Sequence, residues 1–177
     1  MMTSVQRQIF ETLQENYLAN GIPCELIEAS PEMPLVTLVT LFDEVGQSAR
    51  DFRLEHNFYP PADGREHLHI LQSMLALIDK VIPYHQPELL RFLAQVNYTL
   101  AIGMFGFLES RRMVYFKHNC MMIANDPIDQ IIQQIDEQNG LIFQQLQIYY
   151  DAIEAVATGK KTAEESLSFV SRVHSNS

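Results

Sequence analysis

The spacing of apolar residues predicts a helix at the start of the chain. Thr3 or Ser4 can cap this helix, and Asn20-Gly21 can end it because both residues tolerate the left-handed conformation of a C-terminal cap. The apolar positions that fall close to one helical face are Val5, Ile9, Leu13 and Leu18.

From residue 22 the apolar period changes to two, which predicts strands. A β-branched apolar run over 35–42 is typical of a strand covered on both faces. Alternation over 52–58 predicts a half-buried antiparallel strand, and a turn containing Gly46 joins the two strands into a hairpin. Residues 67–82 fit a helix and a strand almost equally well. A strand is favoured because a stable sheet needs three or more strands.

A middle helix is predicted from Pro87 to residue 100, followed by two strands over 104–108 and 113–122. After Asp126-Pro127, apolar residues recur at three- and four-residue steps as far as Gly159. The pattern stays in phase through Asn139-Gly140, which predicts one helix of about 30 residues with a weak point there rather than two helices. A short helix capped by Thr162 follows.

This order of elements predicts an α+β fold: an antiparallel sheet of about five strands packed with an N-terminal helix, a middle helix and a long C-terminal helix. A length of 177 residues and a hydrophobic fraction of 47% indicate a single domain over 1–177. Residues 171–177 are predicted to be a frayed tail.

The composition indicates classes of partner that the chain does not bind. The sequence has 12 Lys and Arg against 22 Asp and Glu, a formal net charge of −10. That balance argues against nucleic acid and against anionic membranes, whose binding depends on basic side chains. Two distant cysteines, Cys24 and Cys120, predict free buried thiols in a reducing compartment. With no signal peptide or apolar span, the predicted location is the cytoplasm.

No catalytic, cofactor or metal motif is recognisable, and the sequence assigns no catalytic residue, cofactor or metal ligand. The alternative is a small ligand-binding or metal-binding protein, or an enzyme, with a site near His56, His67 and His69. A solvated strand end explains the same histidines without function. Gly103 and Gly106 indicate either close approach of a ligand or a tight turn and a bulge.

The long helix carries six acidic residues and no Lys or Arg before Lys160. Asp136, Glu137 and Asp151 are therefore candidates for steering a basic partner, although a solvated face is the plainer explanation. A helix longer than its domain is wide also favours a homodimer. A second group of candidate partner-binding residues is Phe52, Leu54 and Phe58. These residues can bind a partner only if their strand face is exposed, and core packing is the favoured explanation.

Residues of about 66–165 resemble the YbjN-like family, which has the type III secretion chaperone-like fold. The stretches that carry the resemblance are Glu88-Leu89-Leu90 with Leu93 and Asn97, Gly103-x-Phe105, Val114-Tyr115-Phe116, Tyr149-Tyr150 and Gly159. The resemblance implies a dimeric, acidic and non-enzymatic domain that holds a client segment against a hydrophobic surface. It supplies no catalytic residues.

The predicted function is therefore a non-enzymatic, chaperone-like protein-interaction module that binds a protein client or a second copy of itself. Strand addition or packing into a groove would capture the client. A structural subunit of a larger assembly is a further alternative.

Overall fold

A computed structural model of the chain describes residues 2–60 and 64–168. Within these ranges, the first part of the chain forms helix α1 and then four strands. These elements are α1 (Ser4–Ala19), β1 (Cys24–Ile27), β2 (Thr37–Val45), β3 (Arg50–Phe58) and β4 (Leu68–Ile78). After a 3-10 turn over Pro83–His85, the chain continues with α2 (Gln86–Thr99), β5 (Met104–Leu108), β6 (Met113–Ile123) and α3 (Ile128–Ala157). Residues 163–168 are also helical.

The strands form one six-stranded sheet in the order β1-β2-β3-β4-β6-β5. The pairings β1–β2, β3–β4 and β5–β6 are antiparallel, which confirms the α+β class. The sheet has six strands, against the expected number of about five. The edge position of β1 agrees with its charged end, where Glu28 pairs with Arg7 at 2.8 Å.

The ambiguous segment 67–82 contains a strand, β4. Its side chains alternate between buried positions and half-buried or exposed ones. The buried positions are His69, Leu71, Ser73, Leu75 and Leu77. The paired register, with Phe58 opposite Leu71 and His56 opposite Ser73, places the same face of β3 beside them. Pairing with β3 thus decides between two patterns that periodicity leaves equal.

Helix α3 is continuous over 30 residues and passes through Asn139-Gly140 without a break. The buried Asn139 side chain has partners outside the helix, so it does not compete with the helical backbone. The helix ends at Ala157, two residues before the predicted stop. Gly159 then adopts a φ of 72°, and the N–H of Lys160 donates to the carbonyl of Ala155.

Local capping matches the sequence pattern at both ends of the described chain. Thr3 and Gln6 form a reciprocal capping box at the start of α1. Thr162 and Glu165 form a similar pair before residues 163–168, with the Thr162 N–H donating to Glu165 at 2.7 Å. The hairpin turn lies at 46–49 because β2 extends to Val45.

The chain divides into two compact units, each assembled from three separate stretches. Unit 1 comprises Met1–Phe42, Arg53–Met74 and His118–Asn139; unit 2 comprises Asp43–Phe52, Leu75–Lys117 and Gly140–Ser177. Strands β2, β3, β4 and β6 and helix α3 contribute residues to both units. The single-domain boundaries 1–177 stay a prediction, and the tail 171–177 lies outside the described residues.

In unit 1, a hydrophobic core packs α1 against strand residues and against the first half of α3. The α1 residues in it are Ile9, Phe10, Leu13 and Tyr17. The strand and α3 residues are Cys24, Leu38, Phe58, Leu71, Cys120, Met122, Ile131 and Ile135. This core sets the spacing between α1 and α3 and thus positions the groove described next.

Candidate functional site

A surface groove of about 740 Å³ lies in unit 1 between α1 and the first part of α3. We call it the α1–α3 groove. From α1 and the turn after it the groove is lined by Thr12, Leu13, Asn16, Tyr17, Asn20 and Ile22, and from α3 by Asp129, Ile132, Gln133 and Asp136. Its floor is apolar, with Leu13 and Tyr17 nearly inaccessible, whereas Ile22 is 38% exposed.

The rim of the groove is acidic. Asp129 and Asp136 are both exposed, and their seven-residue separation places them two helical turns apart on one face of α3, about 10 Å along the axis. No Lys or Arg is among the described residues that line the groove. The groove therefore combines an apolar floor with two uncompensated carboxylates.

The net charge of the chain is concentrated in unit 1. This unit contains 12 acidic residues and three arginines, a formal charge of −9, whereas unit 2 contains ten acidic and nine basic residues, a charge of −1. A charge of one sign on a small unit produces a potential that attracts cations to its surface. The groove is thus in the acidic unit of the chain.

A buried chain of polar side chains begins at the groove floor. The amide Nδ2 of Asn139 donates to the hydroxyl of Tyr17 at 2.8 Å and lies 3.4 Å from Nε2 of His56. The other ring nitrogen of His56, Nδ1, lies 2.9 Å from the hydroxyl of Ser73. His56, Ser73 and Asn139 are all buried, so these bonds replace water for groups that would otherwise be unsatisfied.

Burial sets the protonation states of these hydrogen-bonded side chains. It lowers the pKa of His56 to about 4, so the imidazole is neutral near pH 7. It also raises the pKa of Tyr17, which the negative charge of Asp136 raises further. The phenol is therefore neutral too. The hydroxyl–imidazole pair of Ser73 and His56 is buried, with the two residues 2% and 0% exposed, so its bonds are made within the core.

The three histidines proposed as an alternative site do not converge. His56 is opposite Ser73, and His69 lies four residues from Ser73 along β4, which separates the two imidazoles by roughly 13 Å. His67 is exposed. Across residues 2–60 and 64–168, no three His, Cys, Asp or Glu side chains are grouped to hold a metal ion.

The apolar candidates on β3 are core residues. Phe52, Leu54 and Phe58 are 7%, 0% and 4% exposed. In unit 2 the ring of Phe52 packs edge-on against Tyr150, and in unit 1 Phe58 packs against Phe10. The condition attached to these residues, an exposed strand face, is not met: the face of β3 that carries them is buried, and the exposed face carries Arg53 and Glu55.

The acidic candidates on α3 separate into two groups. Asp136 lines the groove, and the neighbouring Glu137 is exposed and accepts a bond from Gln133 at 2.9 Å. Asp151 belongs to unit 2, where it accepts the backbone N–H of Gln47 at 2.9 Å. Its carboxylate therefore fixes the hairpin turn, and it is not part of the groove.

Sequence reasoning did not identify the α1 side of the groove. Tyr17 stands beside the apolar face of α1, and Asn16 and Asn20 resemble ordinary helix-end residues. One signal was present, because Asn139 interrupts the apolar stripe of α3 in phase. A polar residue at a core position indicates a buried partner on another element.

Glycine positions in unit 2 agree with the packing explanation. Gly106 lies beneath the ring of its cross-strand neighbour Tyr115, and Gly103 turns with a φ of 68°.

In the described ranges, no helix has the length and apolar character needed to cross a membrane. Both cysteines are free and buried. Comparison with protein-family models and with curated proteins finds no match to this chain.

Proposed function

We propose that this chain is a non-enzymatic protein-interaction module that binds a basic amphipathic segment of a protein partner in the α1–α3 groove. The observation that carries the proposal is the apolar floor beneath two carboxylates with no basic residue among the described lining side chains. An amphipathic helix places apolar residues on one face and cations beside them, which suits such a groove. The proposal assigns no cofactor and no catalytic residue.

The charge of unit 1 supports a basic partner over an acidic or neutral one. A charge of −9 against −1 for unit 2 increases the rate at which a cationic segment encounters the groove, and salt weakens this effect. Asp129 and Asp136 then contribute directional contacts at the rim. Free buried thiols at Cys24 and Cys120 support a reducing, cytoplasmic location.

The test uses a synthetic Leu/Lys amphipathic peptide of about 18 residues, long enough to form a helix when bound. Its affinity is measured by fluorescence anisotropy at about 0.02 M and about 0.3 M salt, with a Leu/Glu peptide of equal length as the probe control. We expect binding of the Leu/Lys peptide only, weakened by salt. Equal binding of the two peptides would contradict a charge-selective groove.

Matched variants locate the site. The pair Asp129→Asn/Asp136→Asn is expected to weaken binding by about five- to tenfold at low salt, since an exposed ion pair contributes up to about 1 kcal/mol. The control pair Glu25→Gln/Glu55→Gln removes two exposed charges from the same unit and is expected to change affinity by less than about twofold. An equal loss in both pairs would refute the groove and leave only a general charge effect.

A third variant blocks the groove without changing charge. Asn16→Trp places an indole in the groove from the exposed side of α1, and Gln8→Trp places the same indole outside it. We expect the first to abolish peptide binding and the second to leave it unchanged. Sedimentation velocity tests the alternative that a second copy of the chain occupies the groove. A mass above 20.4 kDa that rises with concentration in the wild type but not in Asn16→Trp would assign the groove to that second copy.

A further inference from the structure

Strand β5 in unit 2 is an edge strand with an apolar sequence. It stands last in the strand order, beside β6. Its five residues are MFGFL, without a charge or a proline, and Met104 and Leu108 are 45% and 37% exposed. Edge strands commonly carry a charge that discourages further pairing, as Glu25 does in β1. An uncharged apolar edge is instead a template for another strand, so β5 needs a different protection.

The side chain of Asn97 bonds the backbone of β5. Asn97 lies in the last turn of α2, which packs against β5. Its Oδ1 accepts the backbone N–H of Phe105 at 2.8 Å, and its Nδ2 donates to the carbonyl of the same residue at 2.8 Å. In an antiparallel ladder, one donated and one accepted bond join a residue to the residue opposite it in the same way. The carboxamide of Asn97 thus occupies the place of a residue in a further strand.

The register of β5 with β6 shows which backbone groups face the free side. Because Asn97 bonds both groups of Phe105, the pair of Phe105 with Phe116 is a non-hydrogen-bonded pair of the β5–β6 ladder. Alternation then directs the N–H and carbonyl of Gly106 toward β6 and those of Phe107 toward the free side. The free side of β5 therefore has two residues that can pair, Phe105 and Phe107, and the first is occupied.

These two residues are complementary to the same strand of a second copy. In an antiparallel pairing centred on Gly106, Phe105 of one copy faces Phe107 of the other, and the reverse pair forms by symmetry. Met104 then faces Leu108 of the second copy, so exposed apolar side chains are covered as well. Every backbone bond in this register uses the N–H or the carbonyl of Phe105.

We propose that Asn97 is an intramolecular block that closes the edge of β5 against pairing with a second copy of the chain. Its carboxamide belongs to the same chain, so it competes with an incoming strand without the loss of translational freedom that association costs. The block lies in unit 2, and neither Asn97 nor Phe105 lines the α1–α3 groove. The proposal is therefore independent of the proposed function.

The variant Asn97→Ala tests the block, because alanine lacks both bonds and favours the helix. The matched control is Gln95→Ala, at an exposed residue of the same helix. Sedimentation measures self-association of the full chain, whose monomer mass is 20.4 kDa. We expect Asn97→Ala to dimerise at least about tenfold more tightly than the wild type, because backbone bonds between copies become available. The control should match the wild type. Equal association of Asn97→Ala and the wild type would overturn the proposal.

Amide hydrogen exchange shows where the copies meet. In the wild type we expect the N–H of Phe105 to be protected and the N–H of Phe107 to exchange rapidly at every protein concentration. In Asn97→Ala both should exchange rapidly at low concentration and become protected together as the dimer forms. Association without protection at Phe107 would place the contact elsewhere and overturn the proposal.

The wild type alone decides the question if Asn97→Ala does not fold. Its exchange at the N–H of Phe107 must then stay the same as protein concentration rises. Protection of this N–H that increases with concentration would mean that β5 pairs with a second copy while Asn97 is present, and would refute the block.

Discussion

Acidification is expected to destabilise the protein through the buried imidazole of His56. This side chain is fully buried, and its two ring nitrogens lie beside Ser73 and Asn139 with no carboxylate among the contacts described for it. Protonation would place a positive charge among neutral groups and would break the bond that one of the nitrogens accepts. The folded state therefore resists protonation of this histidine.

The size and sign of the effect follow from linkage. Burial lowers the pKa of His56 from 6.5 to about 4. Between these values the unfolded chain binds a proton that the folded chain does not, so the free energy of unfolding falls as pH falls. The difference between these two pKa values corresponds to about 3 kcal/mol. This stability is fully present above pH 6.5 and is lost by about pH 4.

The assay is urea unfolding of the wild type and of His56→Gln at a series of pH values from about 7 to about 4. Glutamine keeps a group that can bond Ser73 but does not titrate. Burial also lowers the pKa of His69 and His118, so the wild-type slope contains their contributions as well. The difference between the two proteins isolates His56, and His67→Gln at the exposed histidine serves as the control.

We expect the stability advantage of the wild type over His56→Gln to shrink by about 3 kcal/mol across this range, while the control follows the wild type. An advantage that stays constant within about 1 kcal/mol would refute the reasoning, because it would mean that His56 protonates equally easily in the folded and unfolded chains. A change of opposite sign would mean that the folded state stabilises the imidazolium.

Further predictions concern single positions of unit 2. Gly106→Ala is expected to lower stability by about 1–3 kcal/mol in thermal unfolding, because a β-carbon would overlap the ring of Tyr115. Gly140→Ala is expected to raise stability by about 0.5–1 kcal/mol, because a β-carbon there meets no atom within 4 Å and alanine favours the helix. Asp151→Ala is expected to accelerate amide exchange at Gln47, whose N–H it accepts. An unchanged exchange rate would contradict that role.

The sequence pattern predicted the helices well because their signal is local. Apolar steps of three and four residues remain in phase across 30 residues of α3, and a helix needs no partner to satisfy its backbone. The α+β class followed from the order of elements. The YbjN-like resemblance, the dimer and the chaperone-like role stay predictions.

Strand pairing was harder to predict from the sequence than the helices were, because a strand satisfies its backbone hydrogen bonds only through a neighbouring strand. For residues 67–82 both periods fit, and the register with β3 decided the outcome. The candidate face of Phe52, Leu54 and Phe58 is buried, a fact that alternation by itself does not determine, since it gives the period of a strand and not what covers it.

The sequence by itself determined the amount of charge, the apolar stripe of α3 and the polar interruption at Asn139. Only the tertiary structure decided that Asn139 meets Tyr17, residues 122 positions apart, and that −9 of the −10 charge lies in one unit. It also separated His56 from His69 and gave each its own buried partner. The physical reason is that composition and period are properties of neighbours along the chain, whereas a groove, a pocket and a buried hydrogen bond require residues brought together by the core.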